Sequence, residues 1–157
     1  MTPKTLPILL HSPGFDEVQT RLRRAILDAG ANVDLCARSA VFTFASDVLE
    51  RADQNTLIIV RFEDHAHMET LRNLCIVLRR FRLVLVIPES QRASMPIYYE
   101  FHPRLVLFED DDFGQISAVI RRLAHRLDTA EHAPLDNVHE PSNFARVTAG
   151  QYAREIG

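Results

Sequence analysis

The sequence is poor in several residue types, and each shortage excludes a class of protein. Its 157 residues include no tryptophan and only five glycines, and Lys4 is the single lysine among 18 basic residues. None of the glycines lies in a G-x-G-x-x-G or G-x-x-x-x-G-K-[ST] array, so the standard backbone cradles for nucleotide phosphates are not expected. The longest apolar runs have the length of a strand and are too short for a transmembrane helix.

Cysteine and net charge are also low. Cys36 and Cys75 both fall in apolar segments, which predicts buried free thiols. The formal net charge of −3 gives no general attraction to nucleic acid or to an anionic membrane. The first residues lack the apolar stretch of a secretory signal, so a cytoplasmic location is the expectation. Neither a cofactor nor a metal is expected.

What the chain does contain is a regular alternation of apolar segments. Thr56–Phe62 is a nearly unbroken apolar run with β-branched residues in its middle, which predicts a central strand covered on both faces. The remaining predicted strands are Leu6–His11, Val33–Ala37, Leu83–Ile87 and Leu105–Phe108. The predicted helices are Phe15–Ala29 with Ser12 as its N-cap, Ser39–Ala52, Met68–Phe81 and Phe113–Leu127 with Asp112 as its cap. Glu89–Pro103 fits either a short distorted helix or an ordered loop.

This alternation predicts a three-layer α/β/α sandwich around a five-stranded parallel sheet. The second strand alternates in polarity and is therefore placed at an edge, in the order 2-1-3-4-5. The α/β domain is expected to span residues 1–127, followed by a polar linker over 128–141. Residues 142–157 would form a short C-terminal helix that docks on the domain or on a partner, or a disordered tail.

The element order resembles the receiver domain of two-component response regulators over roughly Leu6–Leu127. The match depends on the order and length of the elements and on Leu105–Phe113, where a short strand leads through a polar turn and a Phe into an amphipathic helix. The resemblance implies a flavodoxin-like fold and a role in signal transduction.

The residues that carry receiver chemistry are replaced in this chain. The acidic pair that holds a divalent cation corresponds here to His11 and Ser12, and the phosphoacceptor aspartate corresponds to Arg61 or its neighbour Phe62. Ile87 or Pro88 stands where a receiver has Ser or Thr, and the turn Glu109–Asp112 stands where it has a lysine. Ligands for the cation and the phosphoryl group are thus missing. The resemblance therefore implies a pseudo-receiver that acts as a protein-association module, as a homodimer, without catalysis.

Polar side chains gather where the carboxyl ends of the strands are predicted to lie. We expect Arg61 to form a salt bridge with the acidic turn, since an arginine–carboxylate pair can be bidentate. The alternative to this salt bridge is that the Arg61 side chain points to solvent. The carboxyl-edge polar cluster comprises Glu63, Asp64, Glu109, Asp110 and Asp111. His65 and His67 could add metal ligands, but polar residues before a helix are also ordinary caps.

Two further functions stay open on the sequence. His11 after the first strand could serve a phosphocarrier or a small enzyme, with Arg61 and Asp64 near the chemistry, although no second catalytic group is placed by the sequence. A small-ligand sensor could use the same crevice.

The aromatic stretch Ile97–Phe101 has two interpretations. It could seal the edge of the sheet. It could instead form a protein interface, because Tyr and Phe are enriched in such interfaces. The predicted interface residues are Tyr98, Tyr99, Phe101 and Phe108. Two groups of arginines are interpreted as solvated helix faces and not as a nucleic-acid site. They are Arg79, Arg80 and Arg82, and Arg121, Arg122 and Arg126.

Overall fold

The computed structural model describes residues 6–13, 16–31, 34–35 and 41–132. Within them five parallel strands form one sheet in the order β2-β1-β3-β4-β5. The strands are β1 (Ile8–His11), β2 (Asp34–Leu35), β3 (Leu57–Arg61), β4 (Arg82–Ile87) and β5 (Leu105–Phe108). The predicted α/β class with a parallel sheet is confirmed. Every residue of β3 is buried, as its unbroken apolar run indicated.

Helices cover both faces of the sheet. They are α1 (Glu17–Asp28), α2 (Val41–Arg51), α3 (His65–Arg72), α4 (Cys75–Leu78), α5 (Met95–Tyr98) and α6 (Gly114–His132). Short 3₁₀ segments, Glu89–Ser94 and Tyr99–Phe101, flank α5. None of the helices in these residues is long and apolar enough to cross a membrane.

The pleat of each strand divides the apolar side chains between two cores. In β3, Leu57 and Ile59 join the core beneath α1 and α6. Ile58 and Val60 join the opposite core, which includes side chains of α2, α3, α4 and α5. This period of two follows from extended backbone geometry. It also decides to which face the polar residue at each strand end is directed.

Two predicted element boundaries were wrong. The first helix begins at Glu17, and Asp16 caps it, so Ser12 is not the cap. The third helix is interrupted at Asn73 and Leu74, where the N–H of Leu74 bonds to the carbonyl of Leu71, three residues back. The region 89–101 forms the short helical turns described above, in agreement with the first of its two predicted alternatives.

The last helix is longer than the amphipathic stripe indicated. It continues to His132, so Asp128–His132 are helical and do not belong to a linker. The rest of the predicted linker and the predicted C-terminal helix lie outside the described residues, and so does Cys36. Cys75 is a buried free thiol, as predicted.

Candidate functional site

Arg61 is the polar centre of the carboxyl edge. It is the last residue of β3, and the alternation of that strand directs it to the α1 and α6 side of the sheet. The residue is only 7% exposed. A guanidinium in such a place requires partners, because an unpaired buried charge is costly.

Asp16 and Glu109 provide those partners. Two guanidinium nitrogens of Arg61, Nη1 and Nη2, donate to the two carboxylate oxygens of Asp16 at 2.7 and 2.6 Å. Its Nε donates to Oε1 of Glu109 at 3.2 Å, and the Ser12 hydroxyl makes a long contact of 3.5 Å. The predicted ion pair with the acidic turn is therefore confirmed through Glu109. The stronger, bidentate partner is Asp16, which sequence reasoning missed.

Asp16 both caps α1 and binds Arg61. One of its oxygens also accepts the N–H of Gln19, so the carboxylate caps α1 while it binds Arg61. The hydrogen bonds from Arg61 are the main reason that the pKa of Asp16 is lowered. Burial works against the charge of Arg61, but the two carboxylates outweigh it and raise the pKa of Arg61. The charged state of the network is thus favoured from both sides.

A second arginine fixes the turn after β5. Nη1 and Nη2 of Arg21 donate to the backbone carbonyls of Glu109 and Asp111 at 2.7 and 2.6 Å. The same guanidinium lies 4.4 Å from the centre of the Phe113 ring. Nothing in the local sequence pointed to Arg21, because the contact joins residues far apart in the chain. Arg21 and Arg61 together tie α1 to the ends of β3 and β5.

His11 is directed to the opposite face. Its ring stacks on Phe44 with centroids 4.5 Å apart, and it is 2% exposed. Its Nε2 lies 2.9 Å from Nε2 of His67, which is in the first turn of α3. Because the N–H of Glu63 donates to Nδ1 of His67, the neutral His67 carries its proton on Nε2 and donates it to His11. The proton of His11 is then on Nδ1, which has no partner among the described residues.

Burial controls the ionisation of this pair. Desolvation, with a smaller contribution from His67, lowers the pKa of His11 to about 4. Desolvation also lowers the pKa of His67, although Glu63 and Asp64 oppose it. Both rings are thus favoured in the neutral form near neutral pH. Metal ligation through both Nε2 atoms would require His67 to give up its bond from Glu63, and no set of three His, Cys, Asp or Glu residues in the described ranges could hold a metal.

A solved structure resembles this arrangement of elements. The REC domain of AraT, a response regulator from Geobacillus stearothermophilus, matches with a TM-score of 0.56 at 11% sequence identity, over 82% of this chain and 99% of that one. The chain has a receiver-like fold.

Another match to this receiver-like chain is a structure of adenylate cyclase from Rhodopirellula baltica. Its TM-score is 0.55 at 16% identity, and the match covers 82% of this chain and 96% of that one. At such identities the likeness concerns the fold alone. No protein-family model and no curated protein matches the chain.

The other acidic residues at the carboxyl edge have local roles. Asp64 caps α3 by accepting the N–H of His67 at 2.8 Å, as the capping interpretation predicted. Asp111 accepts the N–H of Phe108, and Asp112 accepts that of Gly114 in the first turn of α6. Glu63 and Asp110 are exposed. The predicted polar cluster is therefore several separate contacts, of which only Glu109 reaches Arg61.

The predicted interface is corrected for two of its residues. Tyr98 and Phe101 are fully buried in their own domain, where both rings contact Phe62. They seal the α5 side of the sheet, which was the alternative interpretation. The Phe108 ring lies 3.9 Å beneath the Arg92 guanidinium and is 9% exposed. Tyr99 is half-buried, and its interface role stays a prediction.

Proposed function

We propose that this chain is a non-catalytic, receiver-like signalling module that acts through protein association and is not phosphorylated at its carboxyl edge. The observation that supports it is the Arg61 network. The position that the receiver resemblance assigns to the phosphoacceptor holds a guanidinium, and Asp16 and Glu109 already neutralise it.

Chemistry at that edge supports the same proposal. Phosphoryl transfer to a receiver requires a free carboxylate and a bound cation. Here the nearby carboxylate of Asp16 is engaged by both oxygens with Arg61 and with the first turn of α1. The network also joins the segments that follow β1, β3 and β5 without any added group. We infer that the edge is held in one arrangement permanently.

The phosphocarrier alternative is not supported. A phosphorylated histidine must be reached by the donor, whereas His11 is 2% exposed and its Nε2 faces His67. Its other nitrogen, Nδ1, is buried as well.

Incubation with acetyl phosphate and Mg²⁺, read by intact mass, tests the proposal. We expect no mass increase, while a receiver domain with an intact acidic pocket treated in parallel gains a phosphoryl group. An adduct that maps to Asp64, Asp16 or His11 would overturn the proposal, and its position would name the acceptor.

The association in this proposal is between two copies of the chain. Leu49 and Ile76 are 71% and 72% exposed. Leu49 borders a shallow apolar groove between α2 and α4, which Ala45, Leu74 and Val77 also line. Apolar surface of this kind is what a homodimer would cover.

A further inference from the structure

A buried pair of histidines connects the two walls of the apolar groove. One wall is α2, whose Phe44 ring stacks on the ring of His11 with centroids 4.5 Å apart. The other wall is α4, which follows α3 after an interruption at Asn73 and Leu74. Helix α3 carries His67, whose Nε2 lies 2.9 Å from Nε2 of His11. His11 therefore contacts both α2 and the helix that leads into α4.

The helices that hold the histidine pair also line the groove. Ala45, the neighbour of Phe44 in α2, lines one side of it. Leu74 and Val77 line the other side, and the N–H of Leu74 bonds to the carbonyl of Leu71 in α3 at 2.8 Å. Because packed interiors transmit a displacement, a shift of α2 or of α3 at the pair changes the separation of the groove walls.

The hydrogen bonds of His67 require both rings to be neutral. Its Nδ1 accepts the N–H of Glu63, and its Nε2 donates to His11. A proton added to His11 sets two N–H groups against each other between the rings. A proton added to His67 instead occupies Nδ1 and opposes the N–H of Glu63. Either proton thus removes one of the two bonds that position His67.

His67 is the member of the pair that reaches solvent. It is half-buried, whereas His11 is 2% exposed. Burial lowers the pKa of His67, and the exposed carboxylates of Glu63 and Asp64 oppose this shift. A protonated His67 therefore gains hydration when its ring turns outward, and it keeps these two acids nearby.

The other charged groups on the elements packed against the pair have partners of their own or face away. On α2, Asp47 lies 3.9 Å from Arg51. On α3, His65 lies 3.6 Å from Glu69. Arg61 of β3 is directed to the opposite face of the sheet. The titration of the pair is thus controlled by its burial and by the two acids before α3.

We propose that His11 and His67 form a pH switch, in which neutral rings hold α2 and α3 together and a proton on either ring separates them and weakens the homodimer. The proposal rests on the association proposed for the groove, although the separation of the helices is a property of a single chain. Burial, with a smaller contribution from His67, lowers the pKa of His11 to about 4. An opened pair regains the ordinary value of 6.5, so acid between these values favours opening.

Hydrogen–deuterium exchange of the full chain, corrected for the intrinsic exchange rate at each pH, tests the switch without reference to the dimer. From pH 7 to about pH 5, we expect the amides of α2 and α3 to lose protection at least about tenfold more than those of α1 and α6. His11→Gln, which does not titrate, is expected to abolish this difference. His65→Gln, a change to an exposed histidine of α3, is the control and should behave as the wild type. Equal changes in all four helices, or the same acid response in His11→Gln as in the wild type, would overturn the proposal.

Sedimentation velocity at the same two pH values measures the effect on the groove. We expect the dimer dissociation constant of the wild type to rise at least about tenfold in acid, and that of His11→Gln to change less. Opening of α2 and α3 in a chain that is monomeric at both pH values would support the switch and overturn the homodimer. Opening without any change in the dissociation constant of an existing dimer would overturn the proposed control of the groove.

Discussion

At the scale of single residues, Arg61 shows how a buried charge is stabilised by its environment. The side chain is 8% exposed, while Asp16 is 48% and Glu109 is 27% exposed. The arginine is thus desolvated more than the carboxylates, and it gains most from their hydrogen bonds. Removing the arginine leaves two like charges facing each other, whereas removing one carboxylate leaves the other partner in place.

Arg61→Ala is expected to lower the free energy of unfolding by about 2 kcal/mol, because it removes several charge-assisted hydrogen bonds and leaves Asp16 and Glu109 without their shared cation. Urea denaturation at neutral pH measures this change. The matched control is Arg72→Ala, which removes a bidentate pair with Glu100 at the surface. That pair is exposed, so the expected loss is below about 1 kcal/mol. Equal losses in the two variants would contradict a special role for Arg61.

The same network predicts a pH dependence with a defined sign. The pKa of Asp16 is lowered in the folded protein, so its contribution is present above the ordinary value of 3.8 and is lost as the pH falls through the folded pKa. The difference in stability between wild type and Arg61→Ala is therefore expected to shrink in acid below pH 3.8. A stability difference that grows below pH 3.8 would contradict the assignment of this effect to the Asp16–Arg61 pair.

His11 gives a separate pH signature. Its folded-state pKa of about 4 lies below the ordinary 6.5, so the unfolded chain binds more protons between these values. Its contribution to stability is complete above pH 6.5 and declines as the pH falls towards 4, by on the order of 3 kcal/mol. The His11→Gln side chain can still accept from His67 but cannot titrate. The free energy of unfolding of this variant, measured by urea denaturation between pH 4 and 7, is therefore expected to change less with pH than that of the wild type. An unchanged slope would assign the titration to other groups.

At the scale of elements, the start of α3 places a histidine at the carboxyl edge. Asp64 caps the helix, and the next residues present His67 to both Glu63 and His11. The capping bond therefore positions the histidine as well as beginning the helix.

Asp64→Ala is expected to cost about 1 kcal/mol of stability, the usual loss of an N-cap. Glu63→Ala is the control, because the Glu63 contact to His67 uses the backbone N–H and survives the substitution. Asp64→Ser should recover most of the loss. Thermal denaturation of the three variants measures the effect, and a Glu63→Ala loss as large as that of Asp64→Ala would argue against the cap.

Element boundaries show where local sequence signals end. Ser12 followed by Pro13 fits a helix start, yet the chain begins α1 at Glu17, because Asp16 gains both the cap and the bond to Arg61. The choice depends on a residue 45 positions away, which no local pattern contains. An unbroken apolar run, in contrast, is a local signal, and such runs placed β3 and β4 to within one residue at each end.

At the scale of the whole molecule, the sequence predicted which residues reach the carboxyl edge but not how they divide between its two sides. The pleat sends Arg61 towards α1 and His11 towards α2, so their partners differ. The histidine pair could not be predicted, since His67 comes from the helix after β3 while His11 ends β1.

Two exposed leucines on opposite faces allow the proposed homodimer to be tested. Leu49 is 71% exposed beside the apolar groove of α2 and α4, while Leu27 is 60% exposed on α1, next to Asp28. A single exposed leucine is ordinary, but one that continues an apolar groove adds to a surface that a second copy can bury. Leu49→Glu is therefore expected to raise the dimer dissociation constant at least about tenfold.

Sedimentation velocity over a range of protein concentrations measures that constant, and Leu27→Glu is the control with equal charge and similar exposure. If the two variants weaken the dimer equally, net charge and not the groove controls association. If the wild type is monomeric throughout, the homodimer is excluded. Loss of self-association in Leu49→Glu alone, with unchanged thermal stability, would place the interface on α2 and α4, on the side of the sheet opposite Arg61. The fixed carboxyl edge would then act as a structural support for that face, because the same sheet connects the two.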